Sequence, residues 1–292
     1  MSIRKIMAAL ALAAMSAAAL AEDGSPIDER RPLNAEGKVY VNNMSGTIQV
    51  QSWDRNEVHV TGELGYGAEK LDIGGDASAL RIEVRLPKHS RNVEETSLLV
   101  RVPVGARLEL EGVSSDIAVQ GVRGAVQASS VSGDVHLSVA SSEVTAQSVS
   151  GDVTLRAPSR NTKLNSVSGD VHATGLRDRI TIETVSGSVQ LDAQSVSDLD
   201  VKSVSGDFNL DLALDAAPKV TAETLSGEIE LALTAEPNAL VTMKTFSGEL
   251  QTEFGKPVPE DKHRWEQSFG AGKGRIDLNS FSGDIRLSNR GR

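Results

Sequence analysis

Between residues 126 and 203 apolar side chains recur at every second position, in short runs broken by Ser, Gly, Asp and Asn. A period of two predicts β-strands, because successive side chains of a strand point to opposite faces. In the stretch 144–155, Val144 and Ala146 point one way while Thr145 and Gln147 point the other. A Ser150-Gly151 bend follows, after which Val153 and Leu155 turn inward again, and Val149 is counted with the inward set. A polar connection holding Pro158 leads to the next copy. The same layout fits Ile180 and Ile182 before Val189 and Leu191, and Leu199 and Val201 before Phe208 and Leu210.

The bends are copies of one motif. Val-Ser-Gly-Asp stands at 131–134, 149–152 and 167–170, with Val-Ser-Gly-Ser at 185–188, so Gly133, Gly151, Gly169 and Gly187 are 18 residues apart. Further copies carry Gly206, Gly227, Gly248 and Gly283, at intervals of 19, 21, 21 and 35. A short fixed period means one structural unit stacked on itself. An antiparallel meander would use such strands without requiring the same residues at every corner. Stacking in register, ~4.8 Å per layer, does require it. Glycine suits a corner that needs positive φ or leaves no room for Cβ.

These patterns predict an all-β fold, a single-stranded parallel β-helix (β-solenoid) of 18–21 residues per turn spanning 37–290. One turn cannot stand alone. Its aliphatic side chains gain several kcal/mol at ~1.5–3 kcal/mol each, while ordering each residue costs about 1.5 kcal/mol. Degenerate copies at Met44-Ser45-Gly46 and Val113-Ser114-Ser115, with strand-like runs between, predict wider early coils. The long interval before Gly283 predicts a loop excursion over 252–274.

The N-terminus reads differently. Arg4 and Lys5 precede an Ala-rich apolar run over 6–20 and a small-x-small Ala19-Leu20-Ala21, which predicts a signal peptide over 1–21 cleaved before Glu22. The run is shorter than the ~20 residues that span a bilayer, so no membrane span is expected after cleavage. Polar, aperiodic 22–36 is expected to be a flexible leader. Removing 1–21 takes away two basic residues and no acid, moving the formal charge from −10 to −12. That balance argues against nucleic acid and anionic lipid surfaces. The chain has no cysteine, which excludes disulfides and thiol catalysis.

The residues also resemble a known family. Ser45-Gly46-Thr47-Ile48 with Trp53-Asp54, then Leu98-Leu99-Val100-Arg101-Val102-Pro103, iterated Val-Ser-Gly-Asp, and a closing Phe281-Ser282-Gly283-Asp284 are similar to the bacterial putative-adhesin domain. That domain of unknown function is related to autotransporter-type adhesin heads. The resemblance covers roughly 37–290 and implies a right-handed parallel β-helix in exported or envelope proteins, with no catalytic residues and no defined ligand.

Candidate chemistry is sparse. In-register stacking would align Asp134, Asp152, Asp170 and Asp207, and beyond them Glu228, Glu249 and Asp284, into an acidic column. Such a ladder could hold Ca²⁺ through oxygen ligands. The favoured alternative is that each Asp accepts backbone N–H bonds at its corner. Thr145, Gln147, Thr154, Asn165, Thr181 and Thr184 could offer a flat outward face, or could simply be strand residues. In the 252–274 excursion, His263, Arg264, Trp265 and Phe269 form a candidate partner contact, unless the aromatic pair folds back onto the core. His59, His89, His136, His172 and His263 lack metal-ligand spacing, and His136 and His172 share an outward slot two turns apart. Gly270-Ala271-Gly272-Lys273-Gly274 fails as a phosphate loop, and no Gly-x-Ser-x-Gly nucleophile elbow occurs.

No cofactor and no metal are therefore expected. The expected function is an exported, non-catalytic envelope module that binds a protein or glycan. Self-assembly end to end through an open final strand at 285–289 is the alternative, and a polysaccharide-active enzyme rests on fold analogy alone.

Overall fold

Residues one repeat apart lie side by side. In the computed structural model, which describes residues 24–87, 93–259 and 262–290, Val126, Val144, Thr162 and Ile180 are successive partners in parallel pairings. On the next face Val135, Val153, Val171 and Val189 do the same. The expected signal segment 1–21 and His89 lie outside the described residues.

The first strands are β1 (Ser25–Pro32), β2 (Lys38–Trp53), β3 (Glu57–Leu64), β4 (Lys70–Gly75), β5 (Ala79–Arg85), β6 (Thr96–Pro103) and β7 (Arg107–Gln120). The clean repeat supplies β8 (Val126–Ser130), β9 (Val135–Ser138), β10 (Glu143–Ser148), β11 (Val153–Arg156), β12 (Asn161–Ser166), β13 (Val171–Thr184) and β14 (Val189–Ser203). Then come β15 (Phe208–Ser226), β16 (Ile229–Leu233), β17 (Ala239–Lys244), β18 (Leu250–Thr252), β19 (Arg264–Ser268), β20 (Gly274–Ser282) and β21 (Ile285–Asn289).

The all-β class holds, but the plain single-stranded parallel β-helix is corrected. Parallel pairings run β7–β8–β10–β12–β13–β11–β9 and back to β7, a closed seven-strand parallel barrel to which the other strands are added. Closure has a clear cause. β7 and β13 are 14 residues each, and β7 runs unbroken through the corner equivalent to the Ser-Gly bend while β13 runs through the second corner of the turn, at 175–178, so each belongs to both faces.

Layer order also departs from chain order at both ends. β2 pairs with β7 on one side and with β5 and β6 on the other, so the layer made later in sequence lies outside the earlier one. At the far end β15 and β16 pair with β20 and β21, and β17 and β18 lie beyond them. β21 is therefore covered on both edges, and the open final strand expected to drive end-to-end growth does not exist.

Antiparallel strands finish each end. β4 pairs with β5, β3 with β6 and β1 with β3, while β19 pairs with β17. The segment expected as a flexible leader thus carries a strand, with Leu33 just beyond it 1% exposed. Drift in repeat length is absorbed at the second corner. Register shifts in β14–β15 fall between Ala193 and Asp198, where the offset grows from 19 to 21 residues. The core is a single aliphatic column, with Val144, Ala146, Val153, Leu155, Leu164, Val171 and Ala173 all at most 1% exposed.

Candidate interaction surface at the serine-glycine corner

Each corner begins with a buried hydroxyl. Strict alternation from Val144 and Ala146 carries Ser148 inward, where its Oγ accepts the Gly151 amide at 2.9 Å. Ser130 and Ser166 do the same for Gly133 and Gly169, at 3.0 and 2.9 Å. The hydroxyl also reaches the layer below, as in Ser130 to the Ser115 carbonyl at 2.9 Å. Thr224, Ser280 and Thr245 repeat this interlayer contact in later copies. Thr184, expected to face outward, belongs to this buried column at 6% exposure.

The glycine follows for steric reasons. A Cβ on Gly151 would sit 2.2 Å from the Gly133 carbonyl oxygen, and one on Gly169 2.1 Å from that of Gly151. Neither glycine has positive φ, so close backbone approach is the requirement. Only the degenerate early copy combines both demands, with Gly46 at φ 113° and the Thr96 carbonyl oxygen 2.3 Å from a built Cβ.

The aspartates lock the layers together. Asp152 N–H donates to Asp134 Oδ1 at 2.9 Å and Asp170 N–H to Asp152 Oδ1 at 2.9 Å. Asp116, Asp170, Asp207 and Asp284 accept from Asp134, Ser188, Glu228 and Glu249 in the same way. This is the backbone-acceptor reading of the acidic column. Among the described residues no group of three or more His, Asp or Glu is placed to hold a metal ion.

Two consecutive residues, the apolar one and its serine, project into solvent at the corner. Val149 is 43% exposed, which corrects its inward assignment. Met44, Val113, Val131, Val167, Val185, Val204, Leu225, Phe246 and Phe281 are exposed as well, giving ten exposed apolar residues between 37% and 69%. Backbone pairing orders them in one continuous column: Met44, Val113, Val131, Val149, Val167, Val185, Val204, Leu225, Phe281, Phe246. The final pair stacks ring on ring, with centroids 4.8 Å apart and planes 7° from parallel. At ~4.8 Å per layer the ridge runs roughly 40 Å. Sequence reasoning missed it, although the parity of the strand pattern held the signal.

In the 252–274 excursion the aromatic pair folds back onto the core. Trp265 and Phe269 are buried, 6% and 4% exposed, and pack with Phe254 over the last layer. Trp265 Nε1 donates to the Lys256 carbonyl at 3.2 Å. His263 and Arg264 are exposed, and Arg264 pairs with Glu266 at 2.8 Å. The four residues are thus split between core and solvent. His136, Thr154 and His172 do share one outward slot in successive layers, as expected, and His172 Nδ1 contacts Gln190 at 2.9 Å.

At the opposite end a cleft of about 670 Å³ opens between β1 and β4, with Ile27, Leu64, Leu71 and Ile73 inside and Asp28, Glu29, Arg31, Lys70 and Asp72 around it. Nearby, Tyr40 donates to Glu111 at 2.5 Å under the Arg81 guanidinium. Burial first, then the bond and charge of Glu111, raise the phenol above its ordinary pKa.

No helix among the described residues is long and apolar enough to cross a membrane. A comparison with curated proteins gives no match. Among solved structures, the chain is similar to a putative lipid binding protein from Parabacteroides distasonis, at 12% identity and TM-score 0.45, covering 90% of this chain and 97% of that one. A putative adhesin from the same organism matches at 12% identity and TM-score 0.42, covering 92% and 98%. A putative adhesin from Bacteroides fragilis matches at 10% identity and TM-score 0.33, covering 91% and 97%. The model of the Toastrack DUF4097 family, a domain of unknown function, matches residues 37–288, and the chain belongs to that family.

Proposed function

We propose that this protein is an exported, non-catalytic module of the cell envelope that engages a protein partner along the apolar corner ridge. The observation that carries the reading is the ridge itself. Solvated bends ordinarily take Ser, Asn, Asp or Gly, yet all ten of these positions are Val, Leu, Met or Phe and stand exposed. Ten half-exposed side chains present on the order of 700 Å² of apolar surface, more than the ~300–600 Å² of the largest patch on a typical monomer. The aliphatic character favours protein over glycan, since its aromatic members, Phe246 and Phe281, are stacked on each other. Export rests on the charged, apolar and small-residue order of segment 1–21.

Site-specific photo-crosslinking in the native envelope tests this reading. A photoreactive residue at Val149 is expected to give a discrete protein adduct, lost when Val131 and Val167 are both changed to Lys. The same group at exposed Arg156 is expected to give none. Equal capture from both positions would contradict it. N-terminal sequencing of the envelope-associated protein should begin at Glu22, and an intact 1–21 segment would remove the export claim.

A further inference from the structure

We infer that the partner of the ridge is a second copy of this chain, docked side by side along the corner column. The inference rests on the ridge being an interaction surface and adds the identity of what covers it. Period decides the occupant. The ridge repeats once per layer, ~4.8 Å. An extended peptide laid along it would present one side chain per face about every 6.6 Å, and a helix one turn every 5.4 Å. Either drifts half a period within a few layers, so neither can seat against all ten positions. A second ridge of the same pitch stays in step from Met44 to Phe246, with side chains of one copy settling between layers of the other.

Area and charge agree. The apolar strip, on the order of 700 Å², approaches the ~800 Å² per partner that a specific protein interface buries. A lipid surface needs no matching period, but the acids of the corner, Asp116, Asp134, Asp152, Asp170 and Asp207, stand three residues beyond the exposed apolar ones. They would meet anionic headgroups with like charge. Against another copy the acidic column can lie at the interface rim in water, while the valines meet between the two bodies.

Sedimentation equilibrium of the purified protein, with and without Val149→Lys and Val167→Lys together, tests the inference. Both side chains point into solvent, so at a dilution that dissociates the dimer the melting temperature should not move and loss of association cannot be ascribed to unfolding. The expected result is a dimer that the double variant weakens at least about tenfold, because it buries unpaired ammonium groups in the contact. A wild-type monomer at about 100 µM, or a variant that dimerises equally well, overturns it. Wild-type monomers that float with neutral phosphatidylcholine vesicles, where the variant does not, would overturn it in favour of a lipid face. A monomer whose Val149 adduct to a different protein survives in the envelope would leave the ridge as the binding surface and remove only the second copy.

Discussion

The middle of the molecule and its two ends solve the same problem by different means. From 126 to 203 each layer follows the previous one in chain order, and identical corners repeat because identical environments repeat. A stack of this kind leaves a raw backbone edge at each end, a template for uncontrolled pairing. The ends reduce it, first by changing the order. β2 is slipped beneath β5 and β6, and β20 with β21 beneath β17 and β18, so neither chain-terminal layer is outermost. Antiparallel strands and the Trp265–Phe269 cluster then cover part of what is left, so that among the described residues the remaining one-sided strands are β1, β4, β18 and β19. Repetition builds the scaffold. Breaking the repetition finishes it.

The largest expected effect comes from removing residues 284–292. β21 is held between β16 and β18, so its loss empties an internal layer rather than trimming an edge. Hydrogen exchange should show protection lost throughout 229–283 while 126–203 stays protected. Removing 24–32, which takes only β1 from its single partner β3, should lower the melting temperature by no more than a few degrees. Comparable damage from both truncations would contradict the described layer order.

Next in size is the corner glycine. Gly151→Ala drives a Cβ to 2.2 Å from a backbone oxygen that cannot move aside, and is expected to cost about 3 kcal/mol or more. Gly74→Ala in end strand β4, where a Cβ meets nothing within 4 Å, should change stability by less than about 0.5 kcal/mol. Urea titrations of the pair measure the difference.

Smaller still is the aspartate lock. Asp152→Ala removes the acceptor of the Asp170 amide and should cost about 1 kcal/mol. Ser188 stands where the neighbouring copies carry Asp, so Ser188→Asp should gain a few tenths of a kcal/mol, about the size of one exposed hydrogen bond. Loss of stability on that second change would mean that repulsion between neighbouring acids outweighs the bond.

Period, strand identity and the demand for glycine were readable because they are local and repeat. The corner shows where reading stopped short. Counting from Val144 and Ala146 assigns Ser148 to the interior and Val149 to solvent, yet the hydrophobicity of Val149 pulled the expectation inward against its own parity. The 252–274 excursion could be read either way, since Trp265 and Phe269 are equally suited to a core or a contact. Layer order at the ends was not legible at all. Any layer with apolar residues at alternate positions can lie on any other, and only specific neighbours, such as the stacked Phe246 and Phe281, select among the orders. Barrel closure was hidden for a related reason. A sequence marks where a strand is interrupted, but not where β7 and β13 run on through a corner.

Distances along the ridge test the central claim most directly. Spin labels at Val149 paired in turn with Leu225, Phe281 and Phe246 sample positions four, five and six layers away, about 19, 24 and 29 Å at ~4.8 Å per layer. The account predicts that order, with position 281 nearer than 246 despite its later place in the chain. Position 246 nearer than 281, or distances that do not rise with layer number, would contradict it.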